Sequence, residues 1–535
     1  MRSNLQLFLL KIPVCFPMSN ETDCCHRKST SRFIFSLVLI RLKYYDLLEV
    51  IYLINIEELS ILEARRHMDN GTLTSLQLTK MYLERIAKYD KNGPRLNSVL
   101  EINPDALHIA EAMDYELMYM GKRSLIHGIP VLLKDNISTG DKMHTSAGSM
   151  ALAHLYSAED SFLVKNSREA GAVILGKTNM TEFANFFAEN MPPGYSSRGG
   201  QVISPYDTSK TPSGSSSGSA VAVAANLCSV AVGTETNGSI ISPAKANCVV
   251  GIKPTVGLIS RNGIIPISIS QDTAGPIART VADATILLGV MTGVDEKDPA
   301  TWKSKWLAHQ DYTSFLSLEK VCGLRVGFYK IDADKFNSED KALISEAIGV
   351  LSKYGVEIVE IEQEDYRVEF MGSSVCLHEF KSGINYYLSK IDDGLKTRCL
   401  ADIITYNNEH PETCMKYGQK ILELSQETSG TLTEEKFLQD RLKDIRDMRV
   451  NGIDKMVDEL KLDAVLFYGQ TSIAAISGYP CIMVPAGLSK TSDWQGFSFV
   501  GKAFYEPILI SLAYTYEHET KKRKPPELNF HGTVF

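Results

Sequence analysis

Lys134, Ser215 and Ser239 are the side chains of this chain whose types and settings suit acyl-transfer chemistry. Lys134 closes the apolar run Val131-Leu132-Leu133. Ser215 lies in the serine-rich stretch Pro212 to Ser219, and Ser239 ends Gly233-Thr-Glu-Thr-Asn-Gly238-Ser239. An amide carbonyl is unreactive, so a hydroxyl that attacks it needs a base, and the oxyanion that forms needs donors aimed at it. No histidine lies near either serine segment; the nearest upstream are His127, His144 and His154. A lysine can act as the base if its neutral form is favoured, which burial at the end of an apolar strand promotes. Ser-Lys hydrolases use such a base. The oxyanion donors are expected among the backbone N–H groups of Thr236, Asn237, Gly238 and Ser239, on a turn between a strand at 229–232 and a helix beginning at Ser242-Pro243. The plainer readings are a surface lysine at a strand end and a turn serine.

Two other motifs compete. Gly171-Ala-Val-Ile-Leu-Gly176-Lys177-Thr178 has the letters of a phosphate-binding P-loop. Its intervening residues are strand-forming, however, and a helical pattern over 161–170 comes first, the reverse of the strand, loop and helix that motif requires. Gly214-Ser215-Ser216-Ser217-Gly218 satisfies G-x-S-x-G and would make Ser216 a nucleophile on a strand-fed elbow. The upstream segment from Ser204 to Ser213 is polar and proline-bearing, so no strand feeds it. A flexible Ser/Gly linker is a third reading. The apolar run Ala220 to Ala225 that follows points instead to a serine-rich helix N-terminus packed on the core.

The three segments together resemble the amidase signature family. Ser239 follows Ser215 at the interval where that family carries its nucleophile, and further landmarks match. These are Gly176-Lys177-Thr178-Asn179, Val250 to Leu258, Gln271-Asp272-Thr273-Ala274-Gly275-Pro276, Gly478-Tyr-Pro480 and Val484-Pro-Ala486. The resemblance runs from about residue 54 to about 526 and is nearest to the plant and fungal amidases of the family. It implies a Ser-Ser-Lys triad in which Lys134 deprotonates Ser215, held by a cis peptide, and Ser215 deprotonates Ser239. It also implies hydrolysis of a carboxylic amide to the acid and ammonia through an acyl-enzyme, with no metal or organic cofactor. The family's Gly-rich stretch is loosened, with Ser213 and Ser217 replacing glycines. Asn237 stands where relatives carry Gly or Asp, and it too can occupy a positive-φ turn position. Ile241 stands where an arginine often follows the nucleophile, which weakens the alternative of a glutamyl-tRNA amidotransferase A-type subunit. A non-catalytic amidase-like binding module is the third alternative; such modules tend to lose the serine this chain keeps.

These residues need a scaffold, and the sequence indicates an α/β one. Residues 56–68 have helical apolar spacing ending at Asn70-Gly71, and a second helix starts near Thr74-Ser75 and runs to about Tyr89. Short apolar runs at 129–133, 173–175 and 229–232 alternate with helical stretches, which means strands of a mostly buried sheet. The resemblance implies a large twisted mixed β-sheet core covered by helices on both faces. Between Glu364 and Lys461 the chain turns helix-rich and charged, as an insertion over the sheet would.

With 56 basic and 64 acidic side chains, the net charge of −8 argues against nucleic acid as a partner. A small amide substrate is expected, with the oligomeric state left open and a dimer compatible. Three segments are expected: an N-terminal extension at 1–53, an amidase domain at 54–527 and a tail at 528–535. Between Met1 and Lys43 the extension carries Arg2, Lys11, Arg27, Lys28, Arg32, Arg41 and Lys43 against only Glu21 and Asp23, with apolar runs too short to span a membrane. That composition suits a targeting peptide, a disordered extension or a mis-assigned first exon. The scattered cysteines form no C-x-x-C pair and read as buried free thiols in a reducing compartment. The N-x-[ST] sequons at Asn136 and Asn237 fall inside the proposed site, where a glycan has no room. Cytosol or an organelle interior is the expected location.

Overall fold

The computed structural model describes residues 54–309, 311–330, 336–363, 366, 374–391, 394–489 and 493–528. The extension expected at 1–53, and all of the expected tail but Leu528, lie outside these residues. From Ile56 onward the described residues form one compact unit.

The strands are β1 (Val99–Ile102), β2 (Pro130–Lys134), β3 (Val173–Thr178), β4 (Tyr195–Ser196), β5 (Gly200–Gln201), β6 (Val230–Glu235), β7 (Val250–Lys253), β8 (Thr273–Ala278), β9 (Arg325–Lys330), β10 (Glu357–Glu362), β11 (Ala464–Tyr468), β12 (Cys481–Leu488) and β13 (Trp494–Val500). Eleven of them form one mixed sheet at the centre, in the order β1-β3-β2-β6-β8-β7-β12-β13-β11-β9-β10. β4 and β5 pair apart from it as a two-stranded ribbon. Every residue of β2, β3, β6, β7 and β8 is buried. Successive residues of a strand point to opposite faces, so these central strands are covered on both sides, and their sequences read as continuous apolar runs rather than alternations.

Parallel pairing of β2 with both β3 and β6 brings the C-terminal ends of three strands to one edge of the sheet. Open α/β sheets build their sites at such ends. β8 runs antiparallel to β6, with Thr273 opposite Glu235, so the residue before β8 meets the residue after β6. That register places Asp272 beside Thr236.

Local chemistry set the element ends more sharply than apolar spacing did. The first helix is Ile61–Asp69 and not 56–68, because the Ser60 side chain accepts the Glu63 N–H while Glu63 reaches back to Ser60, a capping box that fixes the start. The next is Ser75–Arg85 behind the Thr74 cap, continued by a wider turn over Ile86–Lys91. Helices within the charged stretch, including Val375–Ser389, Leu400–Glu409 and Lys420–Glu427, bury Phe380, Ile384, Leu400, Ile403 and Leu422 against Met180, Phe183 and Phe187, the segment that follows β3. Among the described residues no helix is long and apolar enough to cross a membrane. The described cysteines are free, but burial is not general: Cys322 is exposed and Cys376 and Cys399 are partly buried, whereas Cys228, Cys248, Cys414 and Cys481 are buried.

Candidate active site

The rival motifs fail on geometry. Lys177 is fully buried within β3, its Nζ donating to the Ile137 carbonyl at 2.6 Å and to Thr145 Oγ1 at 3.0 Å, so it serves the interior and not a phosphate-binding loop. Ser216 is also fully buried. Its Oγ donates to the Thr234 carbonyl and accepts the Thr234 N–H, and no strand precedes it between residues 204 and 215.

Lys134 is the last residue of β2 and has no solvent-accessible surface. Its Nζ lies 2.8 Å from Ser215 Oγ and 3.1 Å from the Thr234 carbonyl of the neighbouring strand. Burial pulls the ammonium down to about 7, against the opposing pull of Asp272 and Glu235, whose negative charges favour the protonated form. The lysine can therefore lose its proton near neutrality.

Ser215 sits just ahead of the buried helix Ser217–Ala224, and the Gly214–Ser215 peptide is cis. Its carbonyl accepts the Thr181 N–H at 3.1 Å, while the next residue, Ser216, donates its N–H to the Ser239 carbonyl at 3.2 Å. That bond ties the two serine segments together. The helix comes in close to the strands: a Cβ on Gly218 would stand 2.3 Å from both the Asn179 and the Ser98 carbonyl oxygens. Only glycine fits there.

Residues 236–239 form a tight loop leaving β6. Glu235 at its start accepts the N–H groups of Ile240 and Ile241 at its end, 2.7 and 3.0 Å away. Thr236 Oγ1 donates to Asp272 at 2.5 Å, and the other Asp272 oxygen accepts the N–H groups of Ile267 and Ser268. With its ends held this way, the loop turns its own donors elsewhere: among the described residues, the N–H groups of Thr236, Asn237, Gly238 and Ser239 find no acceptor. The Ser239 hydroxyl is likewise without a hydrogen bond, on a residue 7% exposed. Unmet backbone donors beside a free hydroxyl are what an oxyanion hole requires before substrate arrives.

Two expectations need correcting. Asn237 does not take a positive φ; Gly238 does, at +81°, because the turn's sharpest residue is the one lacking a side chain. Asn237 is exposed, and among the described residues its side chain makes no hydrogen bond. The following helix is Ile241–Ala246, one residue earlier than Ser242-Pro243, because the Glu235 carboxylate already caps the Ile240 and Ile241 N–H groups. Pro243 thus occupies the third helical position, where its missing N–H is still no loss.

All six candidates gather at the ends of β2 and β6: Lys134 and Ser215 in direct contact, Ser239 linked to them through Ser216, and Thr236, Asn237 and Gly238 on the loop. Three residues with structural weight here were not singled out from the sequence, namely Thr234, Glu235 and Asp272. Glu235 lies within the nucleophile motif and Asp272 within the Gln271-Asp272 landmark, so the signal was present. The partners of Thr234 and Asp272 depend on strand register, which no local pattern reveals, and those of Glu235 on a turn that brings Ile240 and Ile241 back to it.

A family model described as Amidase matches residues 77–508. The chain belongs to the amidase family. It is 42% identical over 482 residues to the "Probable amidase" of Arabidopsis thaliana, covering 88% of this chain and 92% of that protein. The structure of the native peptide amidase from Stenotrophomonas maltophilia superposes with a TM-score of 0.83 at 42% identity, covering 88% of this chain and 98% of that one. The A-type subunit of the glutamyl-tRNA(Gln) amidotransferase from Thermoanaerobacter pseudethanolicus stands further off, 30% identical with 88% of this chain and 98% of that protein covered. This amidase is a hydrolase of C–N bonds with the mixed α/β sheet that the resemblance implied.

Proposed function

We propose that this amidase hydrolyses a carboxamide through an acyl-enzyme on Ser239, with Ser215 as proton relay and Lys134 as base. Neutral Lys134 takes the Ser215 proton and Ser215 takes that of Ser239. The Ser239 oxygen then bonds to the carbonyl carbon. The carbonyl electrons move onto oxygen, where the N–H groups of the 236–239 loop receive the charge. Collapse breaks the C–N bond. The proton held by the relay passes to the leaving nitrogen, which departs as ammonia. Water attacks the ester by the same route, giving the carboxylic acid and free Ser239. The observation that carries this reading is the 2.8 Å contact between a fully buried lysine, tuned to about 7, and the Ser215 hydroxyl.

The likeness to a peptide amidase favours C-terminal carboxamides of peptides as substrates over simple aliphatic amides. Purified protein offered a panel of peptide amides, amino-acid amides and short aliphatic amides, with released ammonia as readout, tests this. Preferred turnover of the peptide amides supports it. Ammonia release from aliphatic amides alone would remove the peptide assignment, and none from any amide would remove the hydrolase reading of the site.

A further inference from the structure

Asp272 is partly buried just ahead of β8 and belongs to none of the roles above, yet it meets the site from a different segment of the chain. One carboxylate oxygen receives the Thr236 hydroxyl at 2.5 Å, and the other receives the N–H groups of Ile267 and Ser268 at 2.8 and 2.9 Å. It therefore joins the first residue of the oxyanion loop to a turn of separate origin. The turn is itself anchored, since Glu379 on the helix Val375–Ser389 accepts the Ser268 hydroxyl together with the N–H and hydroxyl of Ser270. Glu235 secures the far end of the loop through Ile240 and Ile241. With both ends fixed, the N–H groups between them are preorganised rather than free to turn toward water, and preorganised donors contribute more than mobile ones.

We propose that Asp272 is a positioning residue for the proposed oxyanion hole, holding Thr236 in place by its hydrogen bond and acting by its charge on the base Lys134. The inference rests on the reading of Ser239 and Lys134 given above. Its electrostatic half follows from the site's small set of charges. Asp272 and Glu235 both face Lys134 and favour its protonated form, while Arg261, Lys134 and the Cys376 thiol face Asp272. Burial pushes Asp272 itself up to about 6, so it is mostly ionised at the midpoint of the Lys134 titration near 7.

Thr236→Val, Thr236→Ser, Asp272→Asn and the double variant Asp272→Asn/Thr236→Val separate the two actions. Thr236→Val removes the hydrogen bond and no charge. We expect kcat to fall by roughly tenfold, less than the 10²–10³-fold that loss of a whole oxyanion donor brings, with KM and the pH midpoint little moved. Thr236→Ser, which restores the hydroxyl, recovers most of that loss. Asp272→Asn lowers kcat further and moves the acidic limb of the profile to lower pH by about one unit, because Lys134 loses a neighbouring negative charge. The combined loss in the double variant falls short of the product of the two single losses, since Asp272→Asn already weakens the bond that Thr236→Val removes. Parent-like kcat in Asp272→Asn, an unmoved pH midpoint, or fully additive losses in the double variant would each overturn the proposal. Should Asp272→Asn fail to fold, the Thr236→Val and Thr236→Ser pair decides alone, and a Val variant as fast as the parent rejects the clamp. Ser239→Ala, run beside them, keeps the outcomes distinct: full activity there refutes the triad reading and not the clamp.

Discussion

The Nζ of Lys134 lies 2.8 Å from the Oγ of Ser215, at the end of a strand with no solvent exposure. A charged ammonium in that position has lost its hydration and gained only a hydroxyl, the Thr234 carbonyl and two carboxylates at longer range. Stability is given up there, and in return the proposed base has a neutral form near neutral pH.

The first prediction concerns that base. Activity should rise with pH through about 7 and then level, since only the neutral amine accepts a proton. Lys134→Met should lower kcat by about 10²–10⁴-fold, the usual worth of general-base assistance. The same variant should be more heat-stable at pH 7. A lysine whose folded pKa lies near 7 against the ordinary 10.5 binds its proton more weakly folded than unfolded. That penalty is complete below about pH 7 and fades as pH rises toward 10.5. Melting temperatures of parent and variant from pH 7 to 10 check it: the gap between them should narrow steadily.

Asn237 is the clearest departure from the family's nucleophile motif, and among the described residues its exposed side chain finds no hydrogen-bond partner. If the oxyanion is received by backbone N–H groups, Asn237→Asp and Asn237→Gly leave those donors in place. Both variants should stay within about tenfold of the parent in kcat, equivalent to about 1.4 kcal/mol in barrier. Were the side-chain amide itself a donor, both would fall by about 10²–10³-fold, with Asp the worse because its charge opposes the oxyanion. Steady-state kinetics on any accepted amide separates the two.

Gly218 supplies a test of the scaffold. Its added Cβ would meet two backbone carbonyls that also accept strand and helix N–H groups, so neither can move freely. Gly218→Ala should cost at least about 1–3 kcal/mol, the range for overpacking a filled core. Urea unfolding measures this directly, and a change under about 0.5 kcal/mol, the scale of an ordinary surface substitution, would show that the helix is free to shift.

Much of this molecule was readable in its residues. The buried strands announced themselves as apolar runs, Lys134 by its place at the end of one, and the serine-rich turn by the apolar helix after it. Element ends were less legible, because the Ser60–Glu63 box and the Glu235 cap act through side-chain hydrogen bonds that compete with apolar periodicity. The positive φ fell on Gly238 and not Asn237, a choice between adjacent residues that both tolerate turns. Asp272 was legible only as a landmark: its work depends on β8 lying antiparallel to β6, a pairing between strands far apart in sequence.

The central claim is that Ser239 carries the acyl group. A fluorophosphonate probe bonds covalently to an activated serine, so digestion and peptide mapping of the labelled protein locate the nucleophile. The account predicts modification at Ser239, abolished in Ser239→Ala and strongly slowed in Lys134→Met. Recovery of the label at Ser216, or undiminished labelling of Ser239→Ala, would contradict it.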